Sequence, residues 1–495
     1  MYIETESGKW EVVIGLEIHA QIISESKLFS SASTKFGANP NENVSYVDAA
    51  LPGVLPVINS FCVDQAIRTG LGLNAEINKV SFFDRKNYFY ADLPQGYQIT
   101  QYFHPIISGG YIDIERESGE IHRVNIHHIH IEQDAGKSIH DQSPVKSFID
   151  LNRSGIALME IVTEPDMRSA EDAALFLQKL RSILRYLKTC DGNMDEGSMR
   201  ADVNISIHRP GTPYGTRAEV KNVNSIKFMA TAVNYEIERQ IEILENGGEV
   251  DQETRLFDST KGITRTMRSK EDAQDYRYFP EPDLPPLILK QSRIDELKKT
   301  IPELPDEKSK RFQQEYDLPK YDAELISSEM ETADYYERAL DATKAAKTAA
   351  KTSDKTVAKL LSNWLLGELF ALLNKSNKSI SESDISAENL AELVMLIKDD
   401  VISGKIAKEV LELMWNEKKK ASVIVEEKGL KQITSPDEIK KSLQAVLDEN
   451  QDKVAEYKSG KEKLFGFFIG QAMKKTGGKA NPKMLNEILR ELLNS

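Results

Sequence analysis

Strict alternation of apolar and ionisable residues in four segments constrains this chain most. The segments are Ile14–Ile22, His128–Glu132, Met199–Ile207 and Arg217–Lys221, and apolar side chains recur in each at every second position. A period of two is that of a β-strand whose one face rests on a core. The four segments therefore predict a sheet whose other face carries carboxylates, imidazoles, amides and basic groups.

The polar positions of these strands are typical ligands of a divalent cation. Glu17 and His19 lie on the first strand, and His130 and Glu132 lie on the second. Mg²⁺ is commonly held by a few carboxylates together with a substrate phosphate, so this set predicts a hard-ion site. The alternative for each strand taken singly is a solvated outer face, although such faces favour Lys, Glu and Thr over this mixture.

Two more familiar sites are disfavoured by their spacing. Five of the eight histidines lie between His122 and His140, but neither a Cys partner nor an H-E-x-x-H motif accompanies them, which disfavours zinc. The Gly136-Lys137-Ser138 tripeptide resembles the end of a P-loop, yet Ile131 stands where that motif needs Gly. The chain also lacks G-x-S-x-G, so an enzyme of this sequence should use metal-assisted phosphoryl chemistry rather than a serine nucleophile.

The chain is long enough, at 495 residues, to form several domains. We predict an α+β domain over 1–291, with helices packed on a mainly antiparallel sheet, because strand patterns dominate there. Lys, Glu, Ala and Leu with helical periodicity follow, and predict helical domains over 292–404 and 405–495. The Ala/Lys/Thr-rich segment Lys344–Lys355 fits either a helix extension or a loop.

Helix starts are visible inside the first domain. Ser169 and Asp172 form an S-x-x-D capping box ahead of an apolar stripe, and a second stripe begins after Ser225. A third helix is expected around Asp64–Leu73. These three helices supply the layer that covers the apolar face of the predicted sheet.

Charge is distributed unevenly along the chain. The net charge of −14 argues against a general nucleic-acid binder, yet Lys461–Ser495 contains seven Lys or Arg against three Glu. Only two cysteines are present, and no run approaches the roughly 20 apolar residues of a membrane helix. The first residues show neither a secretory signal nor a transit peptide, so we expect a cytoplasmic protein that does not contact a membrane.

Eight motifs resemble one family almost from end to end of the chain. They are Val13–His19, Asp84–Tyr90, Gly96–Ile99, Asp134–Ser138, Asp150–Arg153, Glu219–Ser225, Asp275–Asp283 and Gly477–Pro482. Together they resemble the GatB/GatE family, the B subunits of tRNA-dependent Asp/Glu amidotransferases. The resemblance implies a glutamine synthetase/guanido kinase-like catalytic domain followed by helical domains.

The same resemblance implies a heterotrimer in which an amidase (glutaminase) subunit and a small third subunit are the partners. ATP, with Mg²⁺, would phosphorylate the side-chain carboxylate of Glu-tRNA(Gln) or Asp-tRNA(Asn). Ammonia from glutamine, released in the amidase partner and carried along a channel, would then displace the phosphate. A chain of this family would be the ligase part of the enzyme.

The family's metal positions match five residues here: Glu17, His19, Glu132, Asp202 and Glu219. Arg200 and Lys221 stand two residues from Asp202 and Glu219, and this spacing predicts that they meet phosphate oxygens of ATP. Glu17, His19, Glu132, Arg200 and Lys221 are accordingly the expected catalytic residues. Gln133, where many members have a second Glu, and Ala91, where Pro is common, depart from the family pattern.

Lysines of the tail surround Gly477-Gly478 and are expected to bind tRNA phosphates; they are Lys474, Lys475, Lys479 and Lys483. One alternative function is a non-catalytic scaffold that docks tRNA for the same complex. Another is a stand-alone Mg²⁺-dependent kinase of a small carboxylate, which would not need the helical third of the chain.

Overall fold

The computed structural model describes residues 2–269, 275–345 and 355–494, and in the first of its two units one large sheet dominates. The units divide between Leu304 and Pro305. The first unit is α+β and the second is helical, which confirms the predicted fold class. The three-domain boundaries stay a prediction.

Eighteen strands lie in the described part of the first unit. They are β1 (Ile3–Thr5), β2 (Gly8–Gln21), β3 (Glu76–Ile77), β4 (Val80–Ser81), β5 (Asp84–Asn87), β6 (Tyr97–Thr100), β7 (Ile107–Ser108), β8 (Tyr111–Glu115), β9 (Ile121–Gln133), β10 (Lys137–Ile139), β11 (Phe148–Asp150), β12 (Ala157–Thr163), β13 (Met199–His208), β14 (Ala218–Val223), β15 (Glu253–Asp258), β16 (Ile263–Ser269), β17 (Phe279–Pro280) and β18 (Leu287–Ile288). Its helices are α1 (Ser60–Gly72), α2 (Ala170–Leu187), α3 (Ile226–Glu245) and α4 (Gln291–Lys298).

The four predicted strands are present as β2, β9, β13 and β14, and all four belong to one sheet. The main path runs β16-β15-β14-β13-β2-β12-β9-β7-β3, with β1 and β8 attached at its sides. Neighbouring strands are antiparallel except β14 and β15, which run parallel. Strand β12, which does not show the alternating pattern, lies between β2 and β9.

Apolar side chains of the central strands pack against the helices on the covered face of the sheet. Ile14 and Ile18 of β2 are fully buried, as are Phe176 and Leu180 of α2 and Met229 of α3. Each such side chain contributes roughly 1.5–3 kcal/mol when it leaves water. Burial of one face fixes the register of the strands, because a slip by one residue would turn the apolar set towards solvent.

The predicted helix starts are confirmed by their caps. The Ser169 hydroxyl accepts from the Asp172 backbone N–H at 3.0 Å, and the Ser225 hydroxyl accepts from Phe228 N–H at 3.1 Å. The Asp172 carboxylate accepts two hydrogen bonds from Arg116 instead of closing a capping box. Helix α1 begins earlier than expected, at Ser60, where Asn59 caps it.

The second unit is helical throughout its described residues. Its α-helices are α5 (Pro305–Tyr316), α6 (Lys320–Ser328), α7 (Met330–Ala345), α8 (Lys355–Asn363), α9 (Phe370–Lys375), α10 (Ala387–Lys398), α11 (Gly404–Glu417), α12 (Ala421–Glu427), α13 (Pro436–Asp448), α14 (Gln451–Lys458), α15 (Leu464–Lys475) and α16 (Pro482–Asn494). Most of the undecided Lys344–Lys355 segment, residues 346–354, lies outside the described part of the chain.

One continuous helical stretch, Lys355–Lys375, joins α8 and α9 through a π-helical turn at Trp364–Leu369. By length and composition alone it could cross a membrane, although the sequence predicted no such segment. Leu361, Leu365 and Leu369 are buried inside the helical unit. This burial is typical of a core helix.

Candidate active site

Three central strands bring acidic and imidazole side chains together on the polar face of the sheet. In the antiparallel ladders Glu160 of β12 stands opposite both His19 of β2 and His130 of β9. Directly opposed residues project to the same face. Glu132 lies two residues beyond His130 and therefore shares this face.

The side-chain atoms of this group meet at short distances. His19 Nε2 lies 3.6 Å from Glu132 Oε1 and 3.4 Å from Glu160 Oε2. His130 Nε2 lies 3.5 Å from Glu132 Oε2 and 3.4 Å from Glu160 Oε2. Ligand atoms from His19, Glu132 and Glu160 all fall within 4.8 Å of one another, a spacing that one cation could bridge.

The protonation of this cluster follows from its mutual charges. Burial alone would lower the pKa of His130, but Glu160 and Glu132 raise it to about 10. Burial raises the pKa of Glu160, but His130 and His19 lower it more strongly and hold it well below its ordinary value. In the free protein the imidazolium of His130 therefore faces two carboxylates, in the place where a cation would supply the same positive charge.

One further observation indicates that the cluster suits a cation. Glu132 is 2 % exposed, and its Oε2 atom has no hydrogen-bond partner among the described residues. A buried carboxylate oxygen without a donor is costly unless a positive charge satisfies it. The imidazolium of His130 supplies part of that charge, and a metal ion would supply it more directly.

Glu17 lies on the same face but outside the three-residue group. Its Oε1 accepts a hydrogen bond from Asn204 Nδ2 at 2.9 Å. Burial raises the pKa of Glu17, and the charges of Glu160 and Glu219 raise it further. Its role as a metal ligand stays a prediction, as do the roles of Asp202 and Glu219.

Asp202, Glu219 and Lys221 form a second cluster beside Glu17. Lys221 Nζ donates to Asp202 at 2.6 Å and lies 2.9 Å from Glu219. Burial lowers the pKa of Lys221, but the charges of Asp202 and Glu219 raise it above the ordinary value. The ammonium group is thus permanently charged and is held in one place.

Asp134 organises the basic groups at the end of β2. Its carboxylate accepts from Arg153 at 2.6 Å, from Arg200 at 3.2 Å and from Gln21 at 3.2 Å. Burial raises the pKa of Asp134, but Arg200 and Arg153 lower it more strongly, so the group stays ionised. Two guanidinium groups are therefore fixed near the cluster, and that of Arg200 is already paired with the Asp134 carboxylate.

Gln133, the first departure from the family pattern, does not join the cluster. It follows Glu132 directly in β9, so its side chain projects to the other face of the strand. Its backbone carbonyl accepts from Gln98 of β6 at 2.8 Å. A Glu at this position would not supply a carboxylate to the face that carries Glu132.

A pocket of about 250 Å³ extends the polar face away from the cluster, beyond Glu17. It is lined by Gly15, Glu17, Asn204, Tyr214 and Arg217, among others. Gly15 alternates with Glu17 along β2, so its missing side chain leaves the space open. The Tyr214 ring and the Arg217 guanidinium group line the pocket, together with the Glu17 carboxylate.

Two residues of the site were not predicted from the sequence. Glu160 stands in the segment Ala157–Thr163, where Leu158 and Val162 occupy the neighbouring same-face positions, so no alternation marks it. Asp134 stands beside an incomplete P-loop motif and begins one of the family motifs, but neither pattern assigned it a role in the site. A single carboxylate inside an otherwise apolar strand was the available signal for Glu160, because an unpaired charge there is costly.

The chain matches two family models. The model described as "GatB/GatE catalytic domain" matches residues 12–295, and the model described as "GatB domain" matches residues 344–493. The chain belongs to the GatB/GatE family. The first match contains all the residues of the cluster, His19, His130, Glu132 and Glu160.

Relatives named as the B subunit of aspartyl/glutamyl-tRNA(Asn/Gln) amidotransferase match the chain over its full length. One, from Acidiphilium cryptum (strain JF-5), is 59% identical over 488 residues, covering 99% of this chain and 98% of that protein. Proteins with the same name from Granulibacter bethesdensis and Rickettsia africae (strain ESF-5) are 58% and 56% identical over 491 and 494 residues. These alignments cover 99% of both chains and 100% of both chains, respectively.

The GatB-domain match also contains the four tail lysines. Lys474 and Lys475 end α15, and both are exposed. Lys475 Nζ donates to Glu449 at 2.5 Å, whereas Lys479 is half-buried and its carbonyl accepts from Ile433 N–H at 2.7 Å. Lys483 lies exposed in the first turn of α16.

Proposed function

We propose that this chain activates the side-chain carboxylate of a misacylated tRNA with ATP and completes its conversion to an amide. The substrates are Glu-tRNA(Gln), Asp-tRNA(Asn) or both, and the partners are an amidase (glutaminase) subunit and a small third subunit. The observation that carries the proposal is the convergence of His19, Glu132 and Glu160 beside fixed basic groups. The names of the relatives support the same role.

The reaction needs positioning and positive charge rather than a protein nucleophile. A carboxylate oxygen of the tRNA-linked residue attacks the terminal phosphorus of ATP, an O–P bond forms, and ADP leaves with the bridging oxygen. Ammonia then attacks the carbonyl carbon, inorganic phosphate leaves with the electrons of the C–O bond, and a proton passes to solvent. Both steps gain rate from aligned reactants and stabilised phosphate charge.

Each cluster has a part in this chemistry. A Mg²⁺ ion held by His19, Glu132 and Glu160 would supply positive charge to the phosphate oxygens. Lys221, oriented by Asp202 and Glu219, binds a phosphate group from the other side. Arg200 and Arg153, held by Asp134, orient the oxygens of the acyl phosphate.

The pocket beyond Glu17 suits the nucleoside of ATP. Its volume of about 250 Å³ lies just below the roughly 300–1,000 Å³ of small-ligand sites, which limits it to a base with its ribose. The Tyr214 ring can stack on a base, and Arg217 lies on the same wall. Gly15 lies four residues from His19, about 13 Å along the strand, which leaves room for a triphosphate between pocket and cluster.

The deciding experiment is reconstitution with the two partners, followed by assays on both charged tRNAs with ATP and glutamine. Formation of amidated aminoacyl-tRNA that depends on ATP and Mg²⁺ is expected. Glu132→Gln should remove that activity while glutamine hydrolysis in the amidase partner continues. Equal amide formation by this variant would favour the docking-scaffold alternative, and activity on a free carboxylate without tRNA would favour a stand-alone kinase.

A translation enzyme of this kind would work in the cytoplasm.

A further inference from the structure

Six aromatic rings form a continuous row beside the carboxylate cluster, here named the aromatic wall: Tyr90, Tyr88, Tyr276, Tyr278, Tyr102 and Phe103. Successive ring centroids lie 5.8, 6.0, 6.0, 3.9 and 5.0 Å apart in this order. The closest pair, Tyr278 and Tyr102, is stacked with only 11° between the ring planes. Parallel stacking of two tyrosines leaves flat faces available on the two sides of the pair.

The wall is held rigidly although it comes from three segments. Strand β17 pairs with β5, placing Phe279 opposite Arg85, and the Asn87 N–H donates to the Tyr276 carbonyl at 2.9 Å. Glu281, buried, accepts two hydrogen bonds from Arg85 at 2.7 and 2.8 Å. Residues 276–278 are therefore fixed to the strand that leads into Tyr88.

The middle of the wall lies beside β9, the strand that carries Glu132. Tyr88 donates its hydroxyl to Gln98 Oε1 at 3.2 Å, and Gln98 Nε2 donates to the Gln133 carbonyl of β9 at 2.8 Å. Lys86 Nζ lies 5.0 Å from the centroid of the Tyr276 ring. Burial lowers the pKa of Lys86, but the charges of Glu132 and Glu160 raise it above the ordinary value. Burial raises the pKa of Tyr278, and the charges of the same two carboxylates raise it further. These groups are thus within electrostatic reach of the carboxylate cluster.

Both ends of the wall are exposed to an extent that packing does not explain. Tyr90, Tyr102 and Phe103 are each more than half exposed, at 55, 55 and 56 %. Arg277, between Tyr276 and Tyr278 in the chain, is also at the surface, where its guanidinium lies 3.8 Å from the Asp275 carboxylate. Exposed contiguous rings beside a site mark a binding surface rather than a core.

We propose that the aromatic wall stacks the unpaired terminal bases of the charged tRNA, an inference that rests on the proposed function. The reacting carboxylate belongs to an amino acid esterified to the terminal ribose, so only a few single bonds separate it from the last nucleotide. That nucleotide must therefore lie beside the cluster. Aromatic side chains that present flat faces are the usual platform for single-stranded bases, and Arg277 is placed to meet the backbone.

The position of the wall separates it from the pocket assigned to the nucleoside of ATP. The pocket is lined by residues of β2, β12 and β13 and by the segment that leads into β14. The wall follows β5 and β6, and β6 contacts β9 through the Gln98–Gln133 hydrogen bond. The two ligands of the proposed reaction thus have separate approaches to one cluster. Stacking platforms bind bases without reading their identity, so both charged tRNAs should use the same wall.

The test uses the reconstituted three-subunit complex and tRNA(Gln) whose 3′-terminal adenine is replaced by 2-aminopurine, a base whose fluorescence is quenched by stacking. Binding to the unaltered complex should quench the probe. In Tyr102→Leu and Tyr278→Leu the quenching should be lost, and the KM for charged tRNA should rise about five- to a hundredfold. The KM for ATP and the rate of glutamine hydrolysis should stay the same.

Conservative and matched controls separate stacking from folding. Tyr278→Phe keeps the ring and should retain both quenching and KM, while Tyr46→Leu changes an exposed tyrosine outside the wall and should have no effect. Unchanged quenching in the Leu variants would overturn the proposal. A rise in the KM for ATP alone, or loss of complex assembly, would also overturn it, assigning the wall to the nucleotide or to a partner protein. If the unaltered complex forms no amide at all, the proposed function fails, yet the fluorescence result still tests the wall.

Discussion

The polar sheet face and the basic tail both carry ionisable side chains, but only the sheet face holds them against other charges inside the protein. Glu132 and Glu160 lie 3.5 and 3.4 Å from His130, and all three are largely buried. Lys474 and Lys483 of the tail are exposed. Charges that are fixed against one another suit chemistry on individual atoms, whereas exposed charges act on a partner through a diffuse field.

The largest effect should come from an isosteric change in the sheet cluster. Glu160→Gln and Glu132→Gln each remove one negative charge and little volume, so they should lower the rate of ATP-dependent amide formation by about 10²–10³-fold or more. The rate at saturating substrates in the reconstituted complex measures this. Glutamine hydrolysis by the amidase partner serves as the internal control, and near-normal amide formation would show that the cluster is not used.

Asp202→Ala and Glu219→Ala should follow, with losses of about 10²-fold in amide formation. Either change releases Lys221 from one of its two carboxylates, and displacement of a phosphate-binding group by about 1 Å can cost this much. The assay is repeated at saturating Mg²⁺, with glutamine hydrolysis as the control. A residue whose variant keeps near-normal activity would be dropped from the site.

Gly15→Val should raise the KM for ATP by about tenfold, with a smaller change in KM for charged tRNA. A Cβ at this position would meet its nearest neighbour, Pro165 Cα, at 3.8 Å, so a side chain fits sterically and fills the pocket. Gly367→Ala is the control in the helical unit, because no atom beyond the adjacent residues and the backbone of its own helix lies within 4 Å of the added Cβ. An unchanged KM for ATP would place the nucleoside elsewhere.

The smallest effect is expected in the tail. A Lys474/Lys475/Lys479→Ala variant should raise the KM for both charged tRNAs a few-fold and alike, because phosphate contacts do not read sequence. Each lost contact should also reduce the log–log salt slope of binding by about 0.7–0.9. Titration of tRNA at two salt concentrations measures both quantities. An unchanged KM together with an unchanged salt response would leave the tail with a structural role only.

The faces of the strands could be predicted from the sequence because alternation depends on neighbouring residues alone. The order of the strands could not, because a period of two identifies a face and not the strand beside it. Thus His19 and Glu132 were expected to meet, but the strand between them, and with it Glu160, was not. The salt bridges of Lys221 to Asp202 and of Arg200 to Asp134 likewise depend on pairing between distant segments.

The central position of β2 has a consequence for folding of the chain during its synthesis on the ribosome. Strand β2 ends at Gln21, yet its two long partners begin at Ala157 and Met199. At about 5–20 residues per second, both edges of this strand, one face of which is apolar, stay without those partners for on the order of ten seconds. Exposed strand edges favour association between chains, so we expect stalled nascent chains that end before Ala157 to recruit a holdase chaperone. Chains stalled well beyond His208 should release it, and co-purification from the ribosome measures the difference.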